Sequence, residues 1–293
     1  MTALTGTATK PQLLVCCKVY VSEGRNHALL DRLTHLARTS SPGLCALVQR
    51  FSDAVYHRSN FTLGGAPEPV VEVALRVINE AFLHVDMTKH VDATHPRVGV
   101  VDHVSFHPLG NTPLEVARKA ACALGQRVGG KWPVPVLLYG SCNNKSLADV
   151  RRSTSYFKKM AFDAQVPHAD YGPVDVDPRL GLLCCGAVPY VQNFNIRLKT
   201  SEKQIAAMVT KAVRSRDGGP VGVEALTLRH EGGHMEVACN LLDVDTTDTA
   251  RVLKLATDAA RKAGVEVEEA YTVGMTGDEI LAETKHVLLE NVS

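Results

Sequence analysis

The second half of the chain repeats a regular order of strand-like and helix-like patterns. Residues 190–198 alternate apolar and polar positions, as a half-buried strand does. Ser201 and Gln204 match a capping box, which predicts a helix that buries Ile205 and Val209. The patterns that follow predict two strands, a helix, a further strand and a short helix at 221–229, 235–242, 252–263, 265–273 and 278–285. The order β-α-β-β-α-β is the ferredoxin-like arrangement.

The first half carries the same order of patterns. Strands are predicted at 13–20, 44–51, 57–63 and 98–106. One helix follows the first strand and carries Leu29, Leu33 and Leu36 on one stripe. Another helix begins after Glu68 and has an apolar face of its own. An additional helix and strand at 115–128 and 134–139 extend this half.

The two halves predict a mixed α/β (α+β) protein of two ferredoxin-like βαββαβ subdomains with a ligand groove between them. We place the subdomains at residues 12–180 and 181–293, after a disordered leader at 1–11. The polar connector at 141–179, with a short helix near 147–159, is long enough to line such a groove.

Charge and composition exclude several classes of protein. The 293 residues carry 32 basic and 31 acidic side chains, and a net charge of +1 does not supply the field of a nucleic-acid-binding protein. No apolar stretch approaches the ~20 residues that span a bilayer. The eight cysteines form no Cys-x-x-Cys pair and mostly lie in apolar runs, which indicates buried, reduced thiols in the cytosol.

The segment His230-Glu-Gly-Gly-His234 matches the string of the zinc proteases. That chemistry needs both histidines on one face of a helix. Here two glycines occupy the middle of the segment, and the flanking residues alternate with the period of a strand. We therefore predict a β-hairpin turn and no metal site.

A second group of histidines comprises His84, His90, His95, His103 and His107. Their spacing matches no compact metal site, so scattered surface and core histidines are the simpler interpretation. His95 differs because it precedes Pro96, which disfavours helical geometry and holds the imidazole on a turn before a strand. An imidazole there can accept and return a proton near neutral pH, and Arg97 beside it suits a carboxylate.

The segment 86–108, with His95-Pro96-Arg97, Gly99 and Asp102, resembles the signature of the formiminotransferase domain family. Further segments match in the same order along residues 12 to 285: 22–24, 138–140, 170–173, 194–198 with Ser201, and 240–243. The cyclodeaminase half of the two-function members is absent from the sequence.

The resemblance implies a defined activity. Members of the family transfer a formimino group between N-formiminoglutamate and tetrahydrofolate, with the residue that matches His95 as catalytic acid/base. It also implies tetrahydrofolate as ligand, no metal, a homodimer, and a cytoplasmic location that can be peripheral to the Golgi. The substrate- and folate-binding positions it implies are Ser22, Glu23, Gly24, Arg97, Tyr139, Gly172, Asn195 and Arg197.

Two departures from the family pattern leave two hypotheses open. Val19 and Tyr20 replace the Pro and Asn of the motif before Ser22. Phe51 aligns with the Asp proposed to assist the histidine, and Asp53 could substitute for it only if the loop shifts by two residues. The chain is therefore either a formiminotransferase or a diverged folate-binding or scaffolding protein of the same fold.

Overall fold

The computed structural model describes residues 13–90, 93, 95–154, 166 and 168–290. Its first sheet has six strands: β1 (Leu14–Val21), β2 (Cys45–Asp53), β3 (Arg58–Gly65), β4 (Val101–Leu109), β5 (Val136–Gly140) and β6 (Leu183–Ala187). Their order across the sheet is β2-β3-β1-β4-β6-β5. Strands β1 to β4 pair antiparallel, whereas β6 runs parallel to both β4 and β5.

One face of the first sheet forms the larger core of the molecule. The helices that cover it are α1 (His27–Thr39), α2 (Pro67–His84) and α3 (Leu114–Lys131). The buried residues Val15, Cys17 and Val19 of β1 point into this core, as do Phe61 and Phe106. Because side chains alternate along a strand, the intervening polar residues of the same strands face the other way.

The second sheet has four antiparallel strands in the order β10-β7-β9-β8. They are β7 (Gln192–Leu198), β8 (Val223–Arg229), β9 (Met235–Leu241) and β10 (Val267–Val273). Helices α5 (Lys203–Val213) and α6 (Thr249–Lys262) cover one face, where Phe194, Ile196 and Leu198 of β7 are buried. Asn193 and Asn195 alternate with these residues and so lie on the opposite face.

The structure confirms the predicted mixed fold of two ferredoxin-like units. It also contains β6, which the sequence patterns did not predict as a strand. Although β6 follows residue 180, where the first subdomain was expected to end, it pairs within the first sheet. A division by sheet therefore falls between β6 and β7.

The two short helices also differ from expectation at their ends. Helix α7 (Gly277–Glu290) is longer than predicted and returns to the first sheet, where Ile280 packs with Leu14 and Cys16. Helix α4 (Leu147–Arg152) covers the start of the predicted 147–159 helix, and 155–159 lie outside the described residues, as does the predicted leader at 1–11.

The predicted capping box before α5 is wrong, since Glu202 occupies the N-cap position without a capping hydrogen bond from its side chain. No helix among the described ranges is long and apolar enough to cross a bilayer.

Candidate active site between the two sheets

A cavity of about 660 Å³ lies where the polar faces of the two sheets meet. The first sheet contributes residues that are two positions apart on each of three strands: Lys18 and Tyr20, then Arg58, Asn60 and Thr62, then His103, Ser105 and His107. The second sheet contributes Asn193, Asn195, Ala238 and Asn240 in the same manner. This spacing follows from the strand period, since alternate residues share one face.

The charged groups that line the cavity are mostly cationic. They comprise six basic residues, Lys18, Arg58, Arg151, Arg152, Arg214 and Arg216, and two acidic residues, Asp53 and Glu224. A cleft lined by one sign of charge raises the local concentration of ligands of the opposite sign. The cavity therefore favours an anionic ligand, although the whole chain is nearly neutral.

His95 stands half-buried on the cavity wall, and its two ring nitrogens have defined partners. Nδ1 lies 2.7 Å from the carbonyl oxygen of Pro96, and Nε2 lies 3.3 Å from Nη1 of Arg58. A carbonyl cannot donate and a guanidinium cannot accept, so Nδ1 carries the hydrogen and Nε2 accepts. Burial, with the nearby Arg58 guanidinium, holds the pKa of His95 well below 6.5 and keeps the ring neutral.

Arg58 connects His95 to a fully buried carboxylate. Its Nη2 donates to both carboxylate oxygens of Asp102, at 3.1 and 3.2 Å. The guanidinium also lies over the ring of Tyr20, 4.5 Å from its centroid. Arg58 is therefore fixed from two sides, and it holds a positive charge beside the Nε2 atom of His95.

Asp53 does not serve His95 in this structure. Its Oδ2 lies 2.9 Å from Nε2 of His230, and its Oδ1 accepts from the backbone N–H of Tyr56 at 2.7 Å. The Tyr56 ring lies between the two histidines, with centroids 5.3 Å from His95 and 4.8 Å from His230. The hydrogen bond that His230 donates to Asp53 raises the pKa of His230. Within the described residues, no carboxylate bonds to His95, and Phe51 lines the cavity.

A sequence model of the formiminotransferase domain, N-terminal subdomain, matches residues 14–188. The chain belongs to the formiminotransferase family. It is 31% identical to a formiminotransferase cyclodeaminase-like protein of Arabidopsis thaliana, over 92% of this chain and 96% of the relative.

Two further relatives carry the names of enzymes. The chain is 28% identical to a glutamate formimidoyltransferase of Streptococcus pyogenes, over 94% of this chain and 93% of the relative. It is also 30% identical to the formimidoyltransferase-cyclodeaminase of Sus scrofa, over 89% of this chain but only 50% of that protein.

Of the binding residues that the family resemblance implied, Tyr139 and Asn195 line the cavity with His95. The Tyr139 hydroxyl lies 2.7 Å from Nε2 of His103. Asn195 donates from Nδ2 to Oε2 of the buried Glu236 at 3.1 Å. These two side chains come from different sheets, so the groove brings together residues that are distant in the sequence.

Gly172 and Arg197 lie outside the lining of the cavity. Gly172 adopts φ of +82°, and a Cβ atom there would lie 2.3 Å from the carbonyl oxygen of Val134, so its role in the fold is steric. Arg197 binds Oε2 of Glu269 at 3.2 Å and approaches Nδ1 of His230 at 3.3 Å.

Ser22, Glu23 and Gly24 also lie outside the lining of the cavity. Ser22 Oγ donates to the carbonyl of Gly99 at 2.6 Å, which ties the end of β1 to the segment after His95. Glu23 accepts from the backbone N–H of Arg25 at 2.7 Å. The backbone N–H of Gly24 donates to Nδ1 of His57 at 3.1 Å. These contacts close the turn between β1 and α1.

Arg97 is buried beneath the loop that carries His95. Its Nη1 donates to the carbonyl of His57 at 3.2 Å and to Nδ1 of His90 at 3.1 Å. Arg97 thus joins the histidine loop to the β2–β3 turn. In this structure it positions the loop of His95 and does not face the cavity.

Glu23, His57 and His90 are close enough to hold a metal ion, since their potential ligand atoms lie within 4.8 Å of one another. The hydrogen bonds of the two histidines oppose this use. Nδ1 of His57 accepts from Gly24, and Nδ1 of His90 accepts from Arg97, which leaves the hydrogen of His90 on Nε2. The cluster does not fit a metal in these tautomers, and the cationic Arg97 beside it adds repulsion.

Sequence reasoning missed most of the cavity wall: Lys18, Tyr20, Arg58, His103, Ser105 and His107. Their signal was present as polar residues two positions apart inside otherwise apolar strands. The sequence spacing predicts that His103 and His107 are scattered histidines, yet both share one face of β4 with Ser105.

The segment from His230 to His234 forms the predicted hairpin turn. Gly232 and Gly233 adopt φ of 65° and 81° between the antiparallel β8 and β9. The two rings have different partners, because His230 binds Asp53 and His234 binds Glu268 through Nδ1 at 2.6 Å. The geometry of a zinc-protease helix is absent from this segment.

Proposed function

We propose that the chain is a formiminotransferase that holds tetrahydrofolate and N-formiminoglutamate in the cavity between the two sheets. The observation that carries this proposal is a neutral imidazole, His95, on the wall of a large cationic cavity in a member of this family. Both substrates carry glutamate carboxylates, which the basic lining favours.

In the proposed reaction, His95 moves one proton. The amine of the reduced pterin attacks the formimino carbon, and a carbon–nitrogen bond forms while the amine proton passes to Nε2 of His95. The bond from that carbon to the glutamate nitrogen then breaks, and His95 returns the proton to the leaving nitrogen. Such acid–base catalysis typically contributes about 10²–10⁴-fold in rate. Before Nε2 can accept this proton, the ligand must displace Arg58 from its present hydrogen bond to Nε2.

A spectrophotometric assay of formimino transfer tests the proposal. We expect His95→Gln to lower kcat by about 10²–10⁴-fold, because the amide cannot accept and return the proton. His234→Gln is the matched control, since His234 is a half-exposed histidine on the hairpin and is not part of the cavity lining. Equal rates for the wild type and His95→Gln would contradict the proposed role.

A second candidate function is binding of folate without turnover. The observation that favours it is the set of partners of His95. Its Nε2 accepts a hydrogen bond from a cation, and no carboxylate within the described part of the chain pairs with the ring. A carboxylate that orients an imidazole and stabilises its charged form is a usual companion of such a base. Without one, the imidazolium formed during transfer is less stable.

The two candidates differ in one combined measurement. Under the transferase proposal, turnover depends on His95 and calorimetry shows binding of tetrahydrofolate. Under the binding proposal, the same titration shows tetrahydrofolate binding, while turnover does not exceed that of His95→Gln. The homodimer, the cytoplasmic location and the Golgi association implied by the family remain predictions.

A further inference from the structure

Lys18 is a buried cation at the cavity wall. The residue is only 5% exposed, and its Nζ donates to the carbonyl of Val191 at 3.1 Å. The same Nζ lies over the ring of Tyr190, 4.3 Å from its centroid. No carboxylate of the described chain pairs with it. Buried charges are normally paired, so the ammonium group has hydrogen-bonding capacity that the protein itself does not use.

A second unused donor lies next to Lys18 on the same face of the sheet. The Oδ1 atom of Asn60 accepts from the hydroxyl of Thr62 at 2.7 Å, which turns Nδ2 away from that neighbour. Nδ2 is buried and has no hydrogen-bond partner. Thr62 is directly opposite Lys18 in the pairing of β1 with β3, and Asn60 is opposite Tyr20. Lys18 and Asn60 are therefore diagonal neighbours.

The other groups around Lys18 are neutral. Ser105, opposite Lys18 on β4, lies 2.9 Å from Nε2 of His107. Nδ1 of His107 donates to the carbonyl of Pro189 at 3.0 Å, and burial lowers the pKa of the ring to about 3, so the ring is neutral and Nε2 accepts from the serine. The thiol of Cys16 is buried and protonated, since burial raises its pKa to about 12. This corner of the cavity offers one positive charge and unused N–H donors, which fits a singly charged carboxylate.

We propose that Lys18 and Asn60 form a subsite for a glutamate carboxylate of the substrate. The identity of the ligand in this inference rests on the proposed function, whereas the donors of the subsite follow from the geometry alone. Lys18 is two residues along β1 from Tyr20, whose ring supports Arg58, the partner of His95. At a rise of about 3.3 Å per residue, the Cα atoms of Lys18 and Tyr20 are about 7 Å apart along the strand, so the subsite and the His95 corner lie on the same wall of the cavity.

The subsite is tested first with glutarate alone, by calorimetry on the full chain. We expect glutarate to bind the wild type and Lys18→Met to weaken that affinity by at least tenfold. Lys119→Met is the matched control, because Lys119 is an exposed lysine on α3 outside the cavity, and it should bind as the wild type does. No glutarate binding by the wild type, or equal affinity in Lys18→Met, overturns the proposal.

A second variant guards against a trivial loss of structure. Asn60→Asp replaces the amide donor of the subsite by a carboxylate on the residue diagonal to Lys18. We expect this variant to keep the circular dichroism spectrum of the wild type and to lose glutarate binding at least tenfold, through occupation of Lys18 and repulsion of the anion. Unchanged glutarate affinity in a folded Asn60→Asp protein would also overturn the subsite.

The source of the carboxylate is distinguished by larger ligands. If the folate tail occupies the subsite, folic acid binds more tightly than pteroic acid, and Lys18→Met removes that advantage. If formiminoglutamate occupies it, Lys18→Met weakens the binding of N-formylglutamate and leaves the difference in affinity between folic acid and pteroic acid intact. Either result supports the subsite. If Lys18→Met shows neither effect, the subsite is overturned. If glutarate binding depends on Lys18 but the protein transfers no formimino group, the subsite stands and the proposed function fails.

Discussion

At the scale of single residues, the environment of the candidate base is set by one guanidinium. Arg58 donates to His95, binds both oxygens of Asp102 and lies over Tyr20. Its charge disfavours a second positive charge on the imidazole, so the pKa of His95 is lowered by a neighbour as well as by burial. The same residue thus shapes the chemistry of the wall and satisfies a buried acid.

Removal of Arg58 should destabilise the fold through Asp102. Asp102 has no exposed surface, and after Arg58→Met its remaining ion pair among the described residues is with the more distant Arg151, 3.9 Å away. We expect Arg58→Met to lower the free energy of unfolding by about 3 kcal/mol, measured by urea denaturation. The double variant Arg58→Met/Asp102→Asn should recover much of that loss. A single variant within 1 kcal/mol of the wild type would contradict this account.

Lys18 should show the opposite effect on stability. Burial lowers the pKa of Lys18 to about 8, which means that the folded state disfavours its charged form. We expect Lys18→Met to raise the free energy of unfolding at pH 7 by about 1–2 kcal/mol, since the methionine is apolar and of similar length. Lys119→Met should change it by less than about 0.5 kcal/mol in the same denaturation series. A less stable Lys18→Met protein would show that the ammonium group contributes to the fold.

At the scale of elements, the sequence predicts the helices and strands well because their periods differ. The alternation in β7 and the apolar stripe of α2 each match the observed element. β6 is fully buried and therefore lacks alternation, so its apolar run gave no strand signal. The false capping box before α5 shows that a short side-chain motif has less weight than the backbone geometry around it.

Gly24 and Gly130 provide a matched pair of substitutions at the element scale. A Cβ atom at Gly24 would lie 2.3 Å from the carbonyl oxygen of Asp53 and 2.8 Å from the backbone nitrogen of Arg58. We expect Gly24→Ala to destabilise the protein by about 2–4 kcal/mol and to disturb the strands that carry Asp53 and Arg58.

Gly130 lies within α3, and nothing approaches a Cβ atom there within 4 Å. Gly130→Ala should therefore stabilise the protein by about 0.5–1 kcal/mol, because alanine favours a helix. Thermal unfolding followed by circular dichroism measures both variants. Equal midpoints for the two would show that the β1–α1 turn relaxes around the added methyl group.

At the scale of the whole molecule, the cavity depends on contacts between residues far apart in the sequence. The Tyr56 hydroxyl donates to Oε2 of Glu236 at 2.6 Å, and Asp53 binds His230, so the two sheets are joined at one end of the cavity. Strand periodicity indicates which residues share a face, but it carries no information on which faces meet. Family resemblance therefore located His95, whereas the assignment of Asp53 to His230 required the structure.

Acid should weaken the whole molecule through its buried neutral histidines. Burial lowers the pKa of His57 to about 4 and of His107 to about 3, and it lowers those of His90, His95 and His103. The unfolded chain binds these protons near pH 6.5, so it holds more protons than the folded chain below that pH. The free energy of unfolding therefore falls as the pH drops from about 6.5 to about 4.

His107 alone should account for about 1 kcal/mol of the loss between pH 7.5 and pH 5.5, since its ring stays neutral in the folded state while the unfolded state is protonated. Urea denaturation at the two pH values measures the total, and the same pair of measurements on His107→Gln should show a fall that is smaller by that amount. His230 acts in the opposite direction, because Asp53 raises its pKa and the pair is strongest below that value. A free energy of unfolding that stays constant or rises towards pH 5.5 would mean that the histidines of β4 are charged in the folded protein, and the neutral lining of the cavity around Lys18 would then be incorrect.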